Sequence, residues 1–266
     1  MIKRKLSKLQ NFAFKVVIPA RFASTRLPGK PLLDIAGKPM VVRVVERAIL
    51  SGAEEVIVAT DDMRIVEVIA NHGFKAVMTQ ASHQSGTDRI AEIAKKMIWA
   101  DDVIVVNVQG DEPLIDPTTI QQVAQKLAED QTAVMSTACF PILSGEDFFN
   151  PNVVKVVLNA QSQALYFSRA PIPYPRDGIS AGVLKAEHQL KAYRHIGLYA
   201  YRADFLKKYA LLTPAVIEDI ESLEQLRVLH HGYKIVVDVL QTQPPIGVDT
   251  QDDIEKVRKI LLSQLP

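Results

Sequence analysis

A chain of 266 residues with 31 Lys and Arg against 30 Asp and Glu, a formal net charge of +1 and 48% hydrophobic side chains has the composition of an ordinary soluble protein, one large domain or two unequal lobes. Such a length buries a sizeable core without staples, and the near-neutral balance excludes the electrostatic footprint of a general nucleic-acid binder, so any bound anion must meet a local site. The single cysteine, Cys139, has no intrachain disulfide partner; it follows the apolar stretch Val134 to Ala138 and reads as a buried strand thiol in a reducing compartment.

The opening MIKRKLSKLQNFAFK is basic but lacks the apolar h-region and small-residue cleavage site of an export signal. Residues 1–14 are expected to form a flexible basic arm, and residues 15–266 a single domain. No apolar run reaches bilayer length, so a cytoplasmic protein with no membrane partner and no nucleic-acid partner is expected.

From Lys15 short β-branched runs alternate with longer helical patterns: KVVIPA, PMVVRVVERAILSG, EEVIVAT, a stretch from Asp62 to His72, FKAVMT, a helix from Thr87 to Trp99, DDVIVVNVQ, and a helix from Asp116 to Glu129. This βαβα rhythm, with strands apolar on both faces, predicts a mostly parallel sheet flanked by helices. In the helix after Pro39, Val41, Val42, Val44, Val45, Ala48 and Ile49 form a broad buried stripe, and Gly52 provides a stop. The second half changes character. VVKVVLN, ALYFSR and YRHIGLYAYR read as longer strands around the Pro-rich APIPYPRDG, which suggests that residues 150–202 form an inserted β layer. Helices are expected at about Ala203 to Leu211 and Ile217 to His231, then a strand KIVVDVL, a PP turn and an amphipathic helix from Gln251 to Leu262.

In open α/β sheets ligands collect at the carboxyl ends of the strands, which directs attention to the loop PARFASTRLPGKPL after the first strand. Arg21, Arg26 and Lys30 put three cations within ten residues of one another, beside the small residues Ala20, Ser24 and Gly29 that let backbone amides approach an anion. A triphosphate carries about four negative charges, and forked guanidinium groups with a point-charge ammonium suit it. A solvated loop surface is the structural alternative; the position after a buried strand favours a site. Neither G-x-x-x-x-G-K-[ST] nor G-x-G-x-x-G occurs, so a Walker-type loop and a dehydrogenase-type dinucleotide site are unsupported.

IPARFASTRLPGKPLLDIAGKPM resembles the signature of the nucleotide-sugar cytidylyltransferases, which activate acidic sugars with CTP. HQSGTDR, VNVQGDEP, FSRAPIP, RHIGLYAYR, ESLEQLR and GVDTQDD, in that order, are similar to the branch of the family that acts on Kdo, 3-deoxy-manno-octulosonate. The likeness runs from about Lys15 to Leu262. It departs before Lys15 and in the loop from Arg176 to Gln189, which inherit no assignment.

The resemblance implies a Rossmann-like sheet of the nucleotide-diphospho-sugar transferase type with an inserted β-rich dimerisation or lid layer, a homodimer, and transfer of CMP from CTP to the anomeric hydroxyl of Kdo with release of pyrophosphate, a step of lipopolysaccharide biosynthesis. Such transfer asks for Mg²⁺ to neutralise the triphosphate, and a hard cation that keeps several waters needs only one or two aspartates. Asp111 and Asp249, each after a strand, are the implied ligands. As bare sequence Asp249 reads first as the N-cap of the following helix, with Thr250 as the alternative cap, whereas for Asp111 a carboxylate beside a buried strand end favours function over a turn residue in QGDEP. Lys30 and Arg21 join Asp111 as the implied catalytic groups, stabilising charge on the transferring and departing phosphates. Ser85, Gly86 and Arg89 are the implied base contacts, although Ser85 or Thr87 also reads as a helix cap. Gln109, Arg169, His195, Glu221 and Gln225 are the candidates for the sugar, Arg169 and His195 for its acid end and the hydroxyls nearby, and Glu221 and Gln225 as an i,i+4 pair on one helix face. A strand Arg or His is otherwise satisfied by a neighbouring carboxylate or carbonyl. The APIPYP segment and the Tyr-bearing strand suit a dimer interface. The same reaction on a sialic acid or an amino-Kdo, and a non-catalytic nucleotide sensor, are the rival functions.

Overall fold

The computed structural model describes residues 12–23, 27–83, 85–180, 183–184 and 190–263. The chain runs β1 (Phe14–Ala20), a 3₁₀ turn (Lys30–Leu32), β2 (Asp34–Ile35), β3 (Lys38–Pro39), α1 (Met40–Leu50), β4 (Glu55–Thr60), α2 (Met63–Asn71), β5 (Lys75–Met78), α3 (Gly86–Lys96), β6 (Ile104–Asn107), α4 (Pro117–Glu129) and β7 (Met135–Pro141). It continues through α5 (Gly145–Phe149), β8 (Lys155–Leu158), β9 (Ala164–Ser168), β10 (Ile179–Ser180), β11 (Val183–Leu184), β12 (Tyr193–Arg202), α6 (Ala203–Tyr209), α7 (Val216–Glu221), α8 (Gln225–His230), β13 (Ile235–Val239) and α9 (Gln251–Ser263).

The main sheet has the order β13-β7-β12-β6-β1-β4-β5. β1 pairs parallel with β4 and β6, β4 with β5, and β13 with β7, whereas β12 runs antiparallel between β6 and β7. The expected mostly parallel α/β sheet is therefore present. Its central strands are apolar on both faces because both faces are covered. Val16 and Ile18 of β1 join Val44 and Val45 of α1 and Val123 of α4 on one side; Val17 joins Ile57, Val105 and the α3 residues Ile90 and Ile93 on the other. The α1 stripe is buried from Met40 to Ala48, while Ile49 points outward, and Gly52 at φ 81° reverses the chain.

The second half divides differently from the sequence expectation. β8 pairs with β9 and with the start of β12, beside the main run of strands, but β12 itself is a central strand of the main sheet. Its Tyr199 and Tyr201 face α3 and α8, its Leu198 and Ala200 face α4, and its His195 packs on Phe167 of β9, with a register shift between Ile196 and Tyr199. Tyr199 and Tyr201 are core residues, which leaves the half-buried Tyr193 as the aromatic side chain this strand can offer a partner. The helix expected from Ile217 to His231 is two helices. Ser222 adopts a left-handed conformation (φ 52°, ψ 51°), and the Leu223 N–H closes on the Glu218 carbonyl at 3.1 Å, ending α7 in a Schellman-like turn before Leu223 enters the core.

Candidate active site

β1 delivers Arg21 to the carboxyl edge of the sheet. The loop beyond it is closed by the Gly29 N–H on the Phe22 carbonyl (3.2 Å), with Gly29 at φ 68°, so that Lys30 starts the 3₁₀ turn facing back toward the strand ends. A cavity of about 370 Å³ opens there, lined by Ala20, Arg21, Lys30, Gln109, Asp111 and Asp249 among others. The loop after β6 lies flat against β1: a β-carbon at Gly110 would come within 2.9 Å of the Pro19 carbonyl oxygen, so only glycine allows that approach. The Val248 N–H donates to the Asp111 carbonyl at 2.9 Å, pinning the segment after β13 to the segment after β6.

That pinning brings together two carboxylates 138 positions apart in the chain. Lys30 Nζ lies 2.7 Å from Asp111 Oδ2 and 3.3 Å from Asp249 Oδ1. A cation thus already sits between two hard oxygen ligands, the donor set a magnesium ion takes. Among the described residues no group of three or more His, Cys, Asp and Glu gathers in metal-binding fashion, so any cation held here rests on a two-aspartate site. Asp249 is not the helix cap. The Asp253 N–H donates to Thr250 Oγ1, and the Asp253 carboxylate accepts from the Asp249 and Thr250 N–H groups, a reciprocal capping box that leaves the Asp249 carboxylate turned to Lys30. Beyond Asp111 a second cavity, about 360 Å³, lies between Glu112, Asp116, Arg194 and Pro244; burial, and then the neighbouring Asp111, push the Glu112 carboxyl up to about 7.

The turn before α3 meets the same edge. Arg21 Nη2 donates to the His83 carbonyl at 2.8 Å. His83 in turn rests on Glu92; burial raises the Glu92 carboxyl, but Lys96, His83 and the Gln80 N–H outweigh it and hold the group at about 2. Ser85 caps α3, its Oγ accepting from the Asp88 N–H at 3.1 Å while Asp88 accepts from Ser85, so the structural reading of Ser85 is realised beside Gly86. Arg89 is a correction: it is fully buried, its guanidinium donating to Asp61 (2.7 Å) and to Thr79, which ties α3 to the ends of β4 and β5 and withholds the side chain from a base. Ser24 and Arg26 lie outside the described residues.

The residues read as sugar contacts are less uniform. Gln109 lines the same cavity as Asp111. Arg169 donates through Nε to the Glu221 carbonyl (2.7 Å) and through Nη1 to the Pro151 carbonyl (3.0 Å), two of five guanidinium donors. The Glu221 carboxylate accepts from Ser168 Oγ (2.6 Å) and the Arg169 N–H (2.9 Å). Below them Lys155 is buried, its ammonium on the carbonyls of Asn150, Val153 and Arg169, and burial lowers its pKa. The helix break at Ser222 overturns the shared face expected of Glu221 and Gln225. Gln225 opens α8, buried, with Nε2 lacking a partner. His195 packs on Phe167 and Tyr199 with one ring nitrogen 2.9 Å from Thr137 Oγ1; burial pushes it down to about 3, which favours the neutral ring in the free protein.

Sequence reading missed Glu224. Its carboxylate accepts from Thr87 Oγ1 at 3.0 Å, and Thr87 also meets the Tyr201 hydroxyl at 3.1 Å, so the head of α8 is joined to the head of α3. ESLEQLR contains both glutamates, but nothing in its spacing announces the break that sends Glu221 toward β9 and Glu224 toward α3.

An α/β sheet with a cationic loop after its first strand and a carboxylate pair at its edge defines a phosphate-handling transferase site. Residues 15–235 match the family model described as Cytidylyltransferase, and the chain belongs to that family of nucleotidyltransferases. It is 55% identical over 252 residues to a Vibrio vulnificus protein named 3-deoxy-manno-octulosonate cytidylyltransferase, covering 95% of this chain and 99% of that one. A protein of the same name from Nitrosococcus oceani is 51% identical over 253 residues, 95% of this chain and 98% of that one. The solved structure of CMP:2-keto-3-deoxy-manno-octonic acid synthetase complexed with CTP superposes with a TM-score of 0.87 at 43% identity, covering 96% of this chain and all of that one. A cytidylyltransferase from Leptospira borgpetersenii, at 18% identity and a TM-score of 0.63 over 96% of this chain and 89% of that one, shares the fold.

Proposed function

We propose that this chain transfers CMP from CTP to the anomeric hydroxyl of Kdo, forming CMP-Kdo and pyrophosphate, in the cytoplasm, as a homodimer and in the service of lipopolysaccharide biosynthesis. The observation that carries the reading is the convergence of Lys30, Asp111 and Asp249 in one cavity at the end of β1 and β6. The names of the relatives at more than half identity support Kdo as the acceptor. Among the described residues no helix is long and apolar enough to cross a membrane.

Asp111 and Asp249 would hold Mg²⁺, which when bound neutralises triphosphate charge and makes a coordinated hydroxyl more acidic. Lys30 is the point charge that answers the phosphates. Held between the two aspartates in the free protein, its ammonium is already at the edge where charge develops on the transferred and departing groups. Arg21 faces the same cavity and anchors His83 ahead of α3, so one guanidinium relates the phosphate end to the base end. Ala20 lets the triphosphate approach the end of β1, with Ser24 and Arg26 as further contacts, and Ser85 and Gly86 present the head of α3 to the cytosine. Gln109, two residues before Asp111, contacts the acceptor near the reacting oxygen. The sugar's hydroxyls meet neutral His195 and Gln225, and its carboxylate meets the remaining donors of Arg169, oriented by Glu221.

The test is pyrophosphate release with Mg²⁺ across CTP, UTP, ATP and GTP, each paired with Kdo, an amino-Kdo and a sialic acid, beside Asp111→Asn. Turnover limited to CTP with Kdo, and lost in the variant, is expected. Turnover with another acid alone moves the acceptor assignment, and none with any pair returns the chain to a nucleotide-sensing role. Sedimentation of the active protein tests the dimer.

A further inference from the structure

Asn107 is the last residue of β6, on the face it shares with Val17 of β1 and Tyr199 of β12, its register partners. Its side chain is fully buried, and neither Nδ2 nor Oδ1 has a hydrogen-bond partner. No other described residue has both a donor and an acceptor in that condition. A carboxamide shut away unpaired is worse for the free fold than a hydrocarbon of the same shape, so packing alone gives no reason for asparagine here. Its partners must arrive from elsewhere.

The surroundings say from where. A β-carbon built on Gly86, the first residue of α3, would stand 3.9 Å from Asn107 Nδ2 and 3.6 Å from the Pro19 ring. The carboxamide therefore lies under the turn that opens an 11-residue helix, where backbone N–H groups converge. That turn is tied to the phosphate loop through Arg21 and His83, and Asn107 precedes Gln109 by two residues and Asp111 by four.

We propose that Asn107 is a positioning residue of the nucleotide site, whose hydrogen bonds are completed when the nucleotide seats on Ser85 and Gly86 and presses their turn onto the carboxamide. Oδ1 then accepts from the first N–H groups of α3 and Nδ2 donates to a carbonyl of the turn, so binding of the nucleoside and satisfaction of Asn107 are one event. This deepens the nucleotide-site reading above and rests on it.

Asn107→Leu, nearly the same size, and Asn107→Ala, which removes the same atoms without adding bulk, test it through melting temperature with and without CTP and through separate KM values for CTP and acceptor. The Leu variant is expected to melt no lower than the unaltered protein in the absence of nucleotide, to lose at least half of the CTP-induced rise in melting temperature, and to raise KM for CTP about tenfold while leaving the acceptor KM within about twofold. Where the Leu chain does not fold, the Ala variant decides by the same split between the two KM values. Variants that keep the CTP-induced rise and the CTP KM, whatever their own stability, overturn the proposal, as does a rise confined to the acceptor KM. If the unaltered protein releases no pyrophosphate from CTP, the catalytic reading falls while the CTP-dependent melting shift still judges Asn107; if CTP shifts no melting curve at all, both fall.

Discussion

The two ends of the candidate site are built in opposite ways. At the nucleotide end Lys30, Asp111 and Asp249 are charged groups held by one another at the mouth of a cavity, each a short step beyond a strand of the parallel sheet or its turn. Around the residues proposed for the acceptor, Arg169, Glu221, Ser168 and Lys155 are bound into backbone carbonyls and amides, and His195 meets Thr137 Oγ1. Under the proposed function the first end stores charge to be redistributed when phosphate arrives, and the second is an internal polar frame with spare donors in fixed directions. Substitutions at the two ends should therefore fail differently, the first in turnover and the second in acceptor affinity and folding.

The largest effect is expected at the carboxylate pair. Asp111→Asn keeps the shape of the loop and should lower kcat on the order of a thousandfold, with a melting temperature near that of the unaltered protein; a kcat within tenfold would remove Asp111 from the reaction. Gly110→Ala comes next. The added methyl would stand 2.9 Å from the Pro19 carbonyl oxygen, so the loop bearing Asp111 must move, at about 1–3 kcal/mol of stability and on the order of a hundredfold in turnover. Chemical denaturation and steady-state kinetics on one preparation measure both.

Arg89→Leu separates scaffold from site within the base-reading segment. Leaving Asp61 without its buried partner should cost about 3 kcal/mol, and the preference for CTP over UTP should not change. A changed preference with stability intact would return Arg89 to the base. Glu221→Gln keeps the volume but weakens the hold on Ser168 and the Arg169 amide; about 1–2 kcal/mol of stability and a higher acceptor KM are expected, with the KM for CTP unmoved.

The last expectation, which leaves activity near neutral pH untouched, is a pH dependence. Burial pushes His195 in the folded chain from its ordinary 6.5 down to about 3, so between those values the unfolded chain binds the proton the folded one refuses. Its contribution is complete above about 6.5 and is lost as pH falls toward about 3. Thermal melts over that range should show an acid limb that His195→Asn flattens; an unchanged limb would assign it to other groups.

Much of the nucleotide end was legible because parallel α/β sheets put ligands at strand ends, and the strands of the first half announce themselves as continuous apolar runs. Arg21, Lys30, Gln109 and Asp111 need only that placement. The cap before α9 read first as Asp249 in the sequence, with Thr250 as the alternative, and the reach of the Asp253 side chain back over the turn gives it to Thr250. The separation of Glu221 from Gln225 was hidden by one local irregularity, the left-handed Ser222, which ends α7 and turns the side chains of α8 away from it. Arg89 misled for a related reason: a cation beside a glycine turn looks the same in sequence whether it meets solvent or a buried aspartate.

The sequence by itself determined the alternation of strands and helices and the cationic loop after the first strand, because apolar periodicity and the chemistry of side chains are local properties; the aspartate pair came only through the family resemblance. Only the tertiary structure decided that β12 is central, that Asp111 and Asp249 share one lysine, and that Glu224, not Glu221, meets the nucleotide-side helix. Those outcomes depend on pairings across tens to hundreds of residues, where the direction of a side chain is fixed by what packs against it.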